Sequence, residues 1–417
     1  MIYYDIKELQ TSINMENVNE RLPLSPLECS KVLLDQMKTI KTDTIRKVSE
    51  ASMYFENDVL ELWNAAERFV SNFKIISDQQ KKHENSLLAN ECENLWPNKV
   101  RYVPWGTILV CIPANAVVPL SIILPLALTA SGNRLIMSFS PKIREVGIEI
   151  IQQIEDIFPG RIYTWGGSVR DVVDGMIENE SYVDLLYYMG GSTQYPSIVE
   201  KCARNGVDLH YEGEGRTIAL LDEKMTSEQI TKSAKQIFMS KVFCNGMMCS
   251  SANTTLVHRE CFSDFTNAYK LLCEKFQPKV CYHNGLLENL RNSYGDEIPF
   301  MKNSSPCFWE VDISTALNSK ELFCPGVLVA PYDNLEDCIN KISKTRYKLQ
   351  ISLFSQDKNF IKNVVINTGF ARYCMNMNPA LQDPCLPWGS YGSSGFSDVQ
   401  NFYQKGFRKI ILEGTRQ

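Results

Sequence analysis

Phe243-Cys244-Asn245-Gly246-Met247-Met248-Cys249-Ser250-Ser251 is the stretch on which the reading of this chain turns. A helix pattern runs into it and a strand pattern runs out of it. Thr226 with Gln229 three places later is a capping-box start. Ile230, Ala234, Ile237, Phe238 and Lys241 then follow the spacing of one helical face, with the Lys stem expected at its rim. Asn245-Gly246 is a turn pair that breaks the helix, and Thr254-Thr255-Leu256-Val257 resumes as a β-prone run. Cys249 therefore sits on a tight segment between two rigid elements, where a reactive thiol can be aimed. A small buried core residue is the competing reading for any one of the chain's 14 cysteines.

Upstream of this stretch the chain alternates strands and helices. Thr107-Ile108-Leu109-Val110-Cys111-Ile112 is a continuous apolar strand of the kind covered on both faces. Pro113-Ala114-Asn115 ends it, and a helix-length segment follows to Leu128. Leu135-Ile136-Met137, residues 161–165 and residues 183–188 read as further strands, with a helix pattern from Ile143 to Phe158 between the first two. The last two strands end in Gly166-Gly167 and Gly190-Gly191-Ser192-Thr193. This order describes an α/β chain with a Rossmann-type parallel sheet and a nucleotide site at its carboxyl edge. Neither glycine pair is a GxGxxG, but Gly190-Gly191-Ser192-Thr193 opens a helix, where free N–H groups favour a pyrophosphate. Residues 1–208 are expected to form N-terminal helices plus this dinucleotide-binding unit, 209–390 an α/β catalytic domain, and 391–417 a tail. Its strand at 407–412 is long enough to add to another sheet. The first 95 or so residues read as mostly helical and suggest no chemistry.

Composition narrows the function. Hydrophobic residues make up 44% and charged residues 22%, a soluble globular mix. A net charge of −5 gives no electrostatic case for nucleic acid. With 14 Cys, no CxxC pair and four His, neither a zinc site nor a disulfide scaffold is expected, and reduced thiols in a cytoplasmic compartment are. The N-terminus shows no signal peptide. Residues 103–133 carry no charge, yet Pro113, Pro119 and Pro125 and the polar Asn115 interrupt them, so a buried strand and helix are expected rather than a membrane span.

A thiol nucleophile needs a thiolate, a donor for the developing oxyanion and a route for the second half-reaction. Asn115, at a strand end, supplies an amide; the backbone N–H of Cys249 supplies another. Glu212, on a Gly-flanked turn, is a candidate general base. A helix cap for Asn115 and a surface turn acid for Glu212 are equally open on the residues alone.

The ordered motifs resemble the aldehyde dehydrogenase superfamily over about residues 100–415. Pro104-Trp105-Gly106 with Ile112-Pro113-Ala114-Asn115, Gly132-Asn133, Gly191-Ser192-Thr193, Glu212-Gly213-Glu214-Gly215-Arg216, Asn245-Gly246-Met247-Met248-Cys249, Glu321-Leu322-Phe323-Cys324-Pro325 and Pro387-Trp388-Gly389 through Gly395 fall in that family's order. The resemblance implies NAD or NADP as cofactor, gripped by Ile112, Pro113, Ser138, Gly167, Gly190, Gly191, Ser192, Glu321 and Phe323. It implies Cys249 as nucleophile with Asn115 and Glu212, no metal, and a tail strand acting as the oligomerisation arm of a homodimer or homotetramer. Ser240-Lys241-Val242-Phe243-Cys244-Asn245-Gly246-Met247-Met248-Cys249-Ser250 and Asn133 through Pro141, with Ser138 where hydrolytic members keep Lys, lean toward the coenzyme A-dependent branch. On that reading the chain interconverts an aldehyde with an acyl-CoA or carrier-bound thioester. The luminescence fatty acyl reductases, with a similar Cys-Ser-Ser nucleophile, keep long-chain substrates open. Hydrolytic oxidation of an aldehyde, with Glu212 as base, is the alternative. A binding protein with a decayed cofactor site is a third, motivated by Gly190, Glu214 and Ser138.

Overall fold

The computed structural model describes residues 1–15, 24–79, 99–178, 182–191, 193–276 and 307–412. The apolar strand Thr107–Ile112 (β3) is buried along its whole length because both faces are covered. Ile108, Val110 and Ile112 enter one core and Leu109 and Cys111 the other, the period-two alternation of a strand. The first core is roofed by the helices Pro26–Ser52, Glu56–Ser71 and Val117–Ala130; the second lies under Ile6–Met15, Val169–Ile177 and Tyr195–Asn205. Nearly every residue of Val117–Ala130 is buried, as a helix apolar on all sides requires. Among the described residues no helix is long and apolar enough to cross a membrane.

Around β3 runs an eight-stranded sheet in the order Ile2–Tyr3 (β1), Ile162–Trp165 (β5), Arg134–Phe139 (β4), β3, Leu185–Met189 (β6), Asp208–Glu212 (β7), Gly395–Gln400 (β15), Trp388–Ser390 (β14). The pairs from β1 to β7 are parallel; β15 and β14 add antiparallel. The order β5-β4-β3-β6-β7 reverses direction between β3 and β6, the switch point of a doubly wound sheet. A second sheet, wholly parallel, runs Cys307–Glu310 (β10), Gly326–Tyr332 (β11), Ala252–His258 (β9), Thr217–Leu221 (β8), Gln350–Phe354 (β12), Arg372–Met375 (β13). Phe407–Leu412 (β16) pairs antiparallel with Lys99–Pro104 (β2) of the same chain in a two-stranded ribbon.

Two placements differ from the sequence reading. Asp208–Glu212, placed at the start of the second unit, instead hydrogen-bonds to β6 and extends the first sheet, and the 388–400 hairpin closes that sheet's edge. Hairpin and β7 pair across more than 180 positions, Gly395 with Glu212 and Phe396 with Tyr211, a pairing no local pattern announces. Lys241 is not at a rim: it is fully buried, its Nζ donating to the Leu322 carbonyl at 2.9 Å. Burial pushes its pKa down to about 8.

Candidate active site

The helix Ser227–Val242 begins with the expected capping box at Thr226 and Gln229 and stops where Cys244, Asn245 and Gly246 adopt φ of 48°, 54° and 70° in succession. Left-handed backbone is disfavoured for Cys and tolerated by Asn and Gly, so the turn needs outside support. It has it. Asp58 Oδ2 accepts from the Cys244 N–H at 2.9 Å, and Asn245 Nδ2 donates to the Met53 carbonyl at 2.8 Å. The N-terminal helices, which suggested no chemistry, thus hold the approach to Cys249. Burial raises the Asp58 carboxyl to about 6.

The thiol's own segment is clamped from the second sheet. Thr217 Oγ1 donates to the Cys249 carbonyl at 3.1 Å. Gln350 Nε2 donates to the Ser250 carbonyl at 3.2 Å, and Gln382 Nε2 to Ser250 Oγ at 2.6 Å. Asn115, on the single turn Ala114–Ala116 after β3, donates from Nδ2 to the Met247 carbonyl at 3.0 Å. That bond uses one of its two amide hydrogens and leaves the other for a ligand.

Cys249, Asn115 and Glu212 line one cleft of about 1000 Å³, together with Pro113, Gly190, Gly191, Glu321 and Phe323. The cleft therefore joins the nucleophile to the switch point of the first sheet. Ile112, Ser138 and Gly167 do not line it. Ser138 is fully buried in β4, and Ile112 is buried at the end of β3, so neither side chain is presented to a ligand. Gly167 packs on the Trp165 ring, which a Cβ there would meet at 2.6 Å. Ser192 lies outside the described residues.

Electrostatics correct one expectation. Cys249 does not rest as a thiolate: burial, with the neighbouring Glu321 and Glu212 charges, pushes its thiol up to about 12, against the opposing backbone N–H groups of Ser250 and Cys249. Burial likewise lifts Glu321 to about 8, although its Oε1 accepts from the Gly215 N–H at 2.7 Å. Glu212 behaves oppositely. Burial alone would raise it, but the Lys405 charge and three donors outweigh that and hold the carboxyl below its usual value. Tyr187 Oη donates to Oε1 at 2.8 Å, Lys405 Nζ to the same oxygen at 3.0 Å, and Trp388 Nε1 to Oε2 at 2.6 Å. Glu214, the departure within its motif, is paired with Arg216 at 2.7 Å.

The first sheet fits a dinucleotide. Gly190 and Gly191 follow β6 at the switch point, and a Cβ at Gly191 would meet nothing within 4 Å, so the backbone there is open to a ligand. The helix Tyr195–Asn205 that follows has no side-chain cap at Gln194, leaving its first N–H groups for an anion. Among the described residues no group of three His, Cys, Asp or Glu could hold a metal.

Sequence reasoning missed Tyr187, Trp388 and Lys405 around Glu212, Asp58 and Met53 beneath the turn, and Lys142 on the cleft wall. The one local cue was Lys405 itself, a lone cation in Phe402-Tyr403-Gln404-Lys405-Gly406-Phe407.

Comparison with known proteins agrees with this geometry. The profile of the aldehyde dehydrogenase family matches residues 47–279 and 305–411. The 4,4′-diaponeurosporen-aldehyde dehydrogenase of Staphylococcus aureus is 23% identical over 406 residues, covering 88% of this chain and 86% of its own. A lactaldehyde dehydrogenase of Methanococcus maripaludis is 23% identical over 292 residues, covering 64% and 62%. Among solved structures, an oxidoreductase from Marinobacter aquaeolei superposes with a TM-score of 0.82 at 14% identity, covering 98% of this chain and 90% of the other. A substrate-bound AldH of Staphylococcus aureus gives 0.76 at 19% identity, covering 99% and 95%. The structures establish the fold and the profile the family: this chain belongs to the aldehyde dehydrogenase family and is an NAD(P)-dependent aldehyde oxidoreductase.

Proposed function

We propose that this chain interconverts an aldehyde bearing an apolar chain with the corresponding acyl thioester, Cys249 carrying the acyl group. The Cys249 sulfur bonds to the carbonyl carbon, its S–H proton is released to solvent, and the C=O π pair moves onto oxygen. The charge that develops on oxygen is met by the free Asn115 amide hydrogen and the Cys249 N–H. A bound nicotinamide would supply the hydride acceptor or donor for that carbon. Pro113, Gly190, Gly191, Glu321 and Phe323 would hold it. A thiol, coenzyme A or a carrier, then takes the acyl group from Cys249 and leaves the cysteine thiol behind.

The observation that carries the choice of a thiol over water is the state of Glu212. Three of its roughly four acceptor positions are taken, and its proton affinity is lowered, so it is a poor base for water as held here. Hydrolysis is the second reading. It is favoured by the presence of that carboxylate in the same cleft as Cys249 and by the named relatives, which are aldehyde dehydrogenases. The apolar chain is supported by the cleft wall of Leu62, Leu120, Ile123, Phe243, Met247 and Phe402, and by Met377, Leu381 and Leu386 exposed at its rim. The assay follows reduced cofactor with decanal, with and without free coenzyme A, and separates acid from thioester. Thiol-dependent thioester formation is expected; full turnover to acid without thiol overturns the choice.

NADP is the preferred cofactor on this reading. Lys142, just after β4, lines the cleft with no hydrogen bond or ion pair among the described residues, and residues 138–144 contain no acid to meet a bare ribose. A doubly wound sheet places the adenosine ribose at this edge, and a cation there matches a 2′-phosphate. The β2–β16 ribbon remains the proposed oligomerisation arm; sedimentation of the intact chain beside one ending at 406 tests it.

A further inference from the structure

Lys405 keeps 1% of its side chain accessible, and its carboxylate partner Glu212 13%. A cation buried this deeply is costly unless its partner is fixed, and breaking such a pair is worse than never having made it. Here both ends are fixed. Lys405 sits in the single turn Gln404–Gly406 between β15 and β16. Trp105 Nε1 donates to its carbonyl at 3.2 Å, and Asn133 Nδ2 donates to the next carbonyl, of Gly406, at 2.8 Å. A Cβ on Gly406 would stand 1.9 Å from Ser131 Oγ, so the turn has no room to move inward. Glu212 comes from the end of β7, 193 positions earlier. In the chemistry proposed above this cation touches no reacting atom and enters only through Glu212.

We propose that Lys405 is a positioning residue that selects the acyl acceptor, holding Glu212 as a paired spectator so that the acyl group on Cys249 leaves to a thiol and not to water. The inference rests on the thiol-acceptor reading. In either route one bond breaks, between the Cys249 sulfur and the acyl carbon, and one forms, to the acceptor's sulfur or oxygen. The acceptor's proton is left over. Water, far less acidic than a thiol, needs a base for that proton at the moment of attack. Glu212 lines the cleft with Cys249, as Glu321 does, and Lys405 and Tyr187 occupy one of the Glu212 oxygens while Trp388 occupies part of the other. Without the cation, a buried carboxylate with two neutral donors binds a proton more tightly and becomes a better base near neutral pH. The other titratable groups around it are Tyr187, the Cys249 thiol that feels its charge, and His210, whose ring packs edge-on against Tyr187.

The test uses the full chain with decanal and NADP. Lys405→Met is expected to raise the ratio of acid to thioester at least tenfold, with the single-turnover burst from Cys249 kept. Lys405→Arg, which retains the charge, restores the wild-type ratio. Adding Glu212→Gln to Lys405→Met removes the gained hydrolysis. Should Lys405→Met fail to fold, Trp388→Phe, which frees Oε2 alone, is expected to raise the ratio about threefold. The acid route in Lys405→Met also acquires an acidic limb in its pH profile that the Glu212→Gln double variant lacks. Wild-type protein that needs the thiol, beside a Lys405→Met (or Trp388→Phe) protein with an unchanged ratio, overturns the inference alone. Wild-type protein that makes acid at full rate without thiol overturns the reading beneath it.

Discussion

The α-carbon of Gly215 faces the carbonyl of Cys249 so closely that an added methyl would stand 1.8 Å from its oxygen. Backbone, not a flexible side chain, is what the methyl would meet. Gly215 also gives its N–H to Glu321 at 2.7 Å, so it ties the nucleophile's segment to the carboxylate beside it. Gly215→Ala must move Cys249, and displacements of about 1 Å at a reacting atom cost about 100-fold. A fall in kcat of that order is expected, with the melting temperature changed far less. Steady-state kinetics beside a thermal melt checks it.

Asn115 has two separable duties, gripping the Met247 carbonyl and offering a second hydrogen to the oxyanion. Asn115→Ala loses both and is expected to lower kcat by about 100- to 1000-fold. Asn115→Asp keeps the size but has no hydrogens to give, and is expected to fall as far. Pre-steady-state measurement of the hydride step distinguishes this from slow product release.

The Cys249 thiol, pushed up to about 12, is almost wholly protonated at neutral pH. Alkylation of the free protein by iodoacetamide is therefore expected to be slow at pH 7 and to rise about tenfold per pH unit well past pH 9. Glu321, lifted to about 8, is neutral below that pH and ionised above it. Glu321→Gln thus leaves the rate unchanged at pH 6.5 and speeds it above pH 8, where a neighbouring negative charge has been removed. Mass spectrometry of the Cys249 peptide reads both.

Asp58 supports the turn that carries Cys244, at the cost of a buried carboxylate raised from about 3.8 to about 6. A carboxyl whose folded value is raised stabilises the fold fully below the unfolded value, and that contribution is lost as pH rises through the folded one. Stability is expected to decline between about pH 4 and 7 on this account. Asp58→Asn keeps an oxygen for the Cys244 N–H and is expected to gain about 2 kcal/mol at pH 8 and nothing at pH 3.5. Urea unfolding at the two pH values checks the sign.

Lys142 offers the cofactor test. Lys142→Ala is expected to weaken 2′,5′-ADP binding by about tenfold while leaving 5′-ADP unaffected, since a single charge-assisted contact is worth about 1.5 kcal/mol. Calorimetric titration with the two nucleotides decides it. Equal losses for both would withdraw the NADP preference.

The parallel strands were legible because burial on both faces writes continuous apolar runs. β3 and β16 have the residues expected of them, and the capping box at Thr226 marks its helix to the residue. Local chemistry also pointed to Cys249, Asn115 and Glu212, which the cleft brings together. What stayed hidden is long-range. Tyr187 and Trp388 reach Glu212 across 25 and 176 positions, and no periodicity encodes such a meeting. Asp58 lies in the first turn of its helix, where an acid suits the helix dipole, and nothing local points to its contact with Cys244. Ser138 is a different case: it was placed by transfer of a motif position, and its strand register buries the hydroxyl.

Lys405 and the 388–400 hairpin have a consequence for biosynthesis. A chain emerging from the ribosome completes β7, and with it Glu212, long before either reaches the tunnel exit. Until they dock, the carboxylate faces water, the edge of β7 stands open, and the nucleophile has no finished cleft. The cleft around Glu212 is finished only once residues 388–405 have docked on β7, so its assembly waits on the part of the fold that is made last among its own walls.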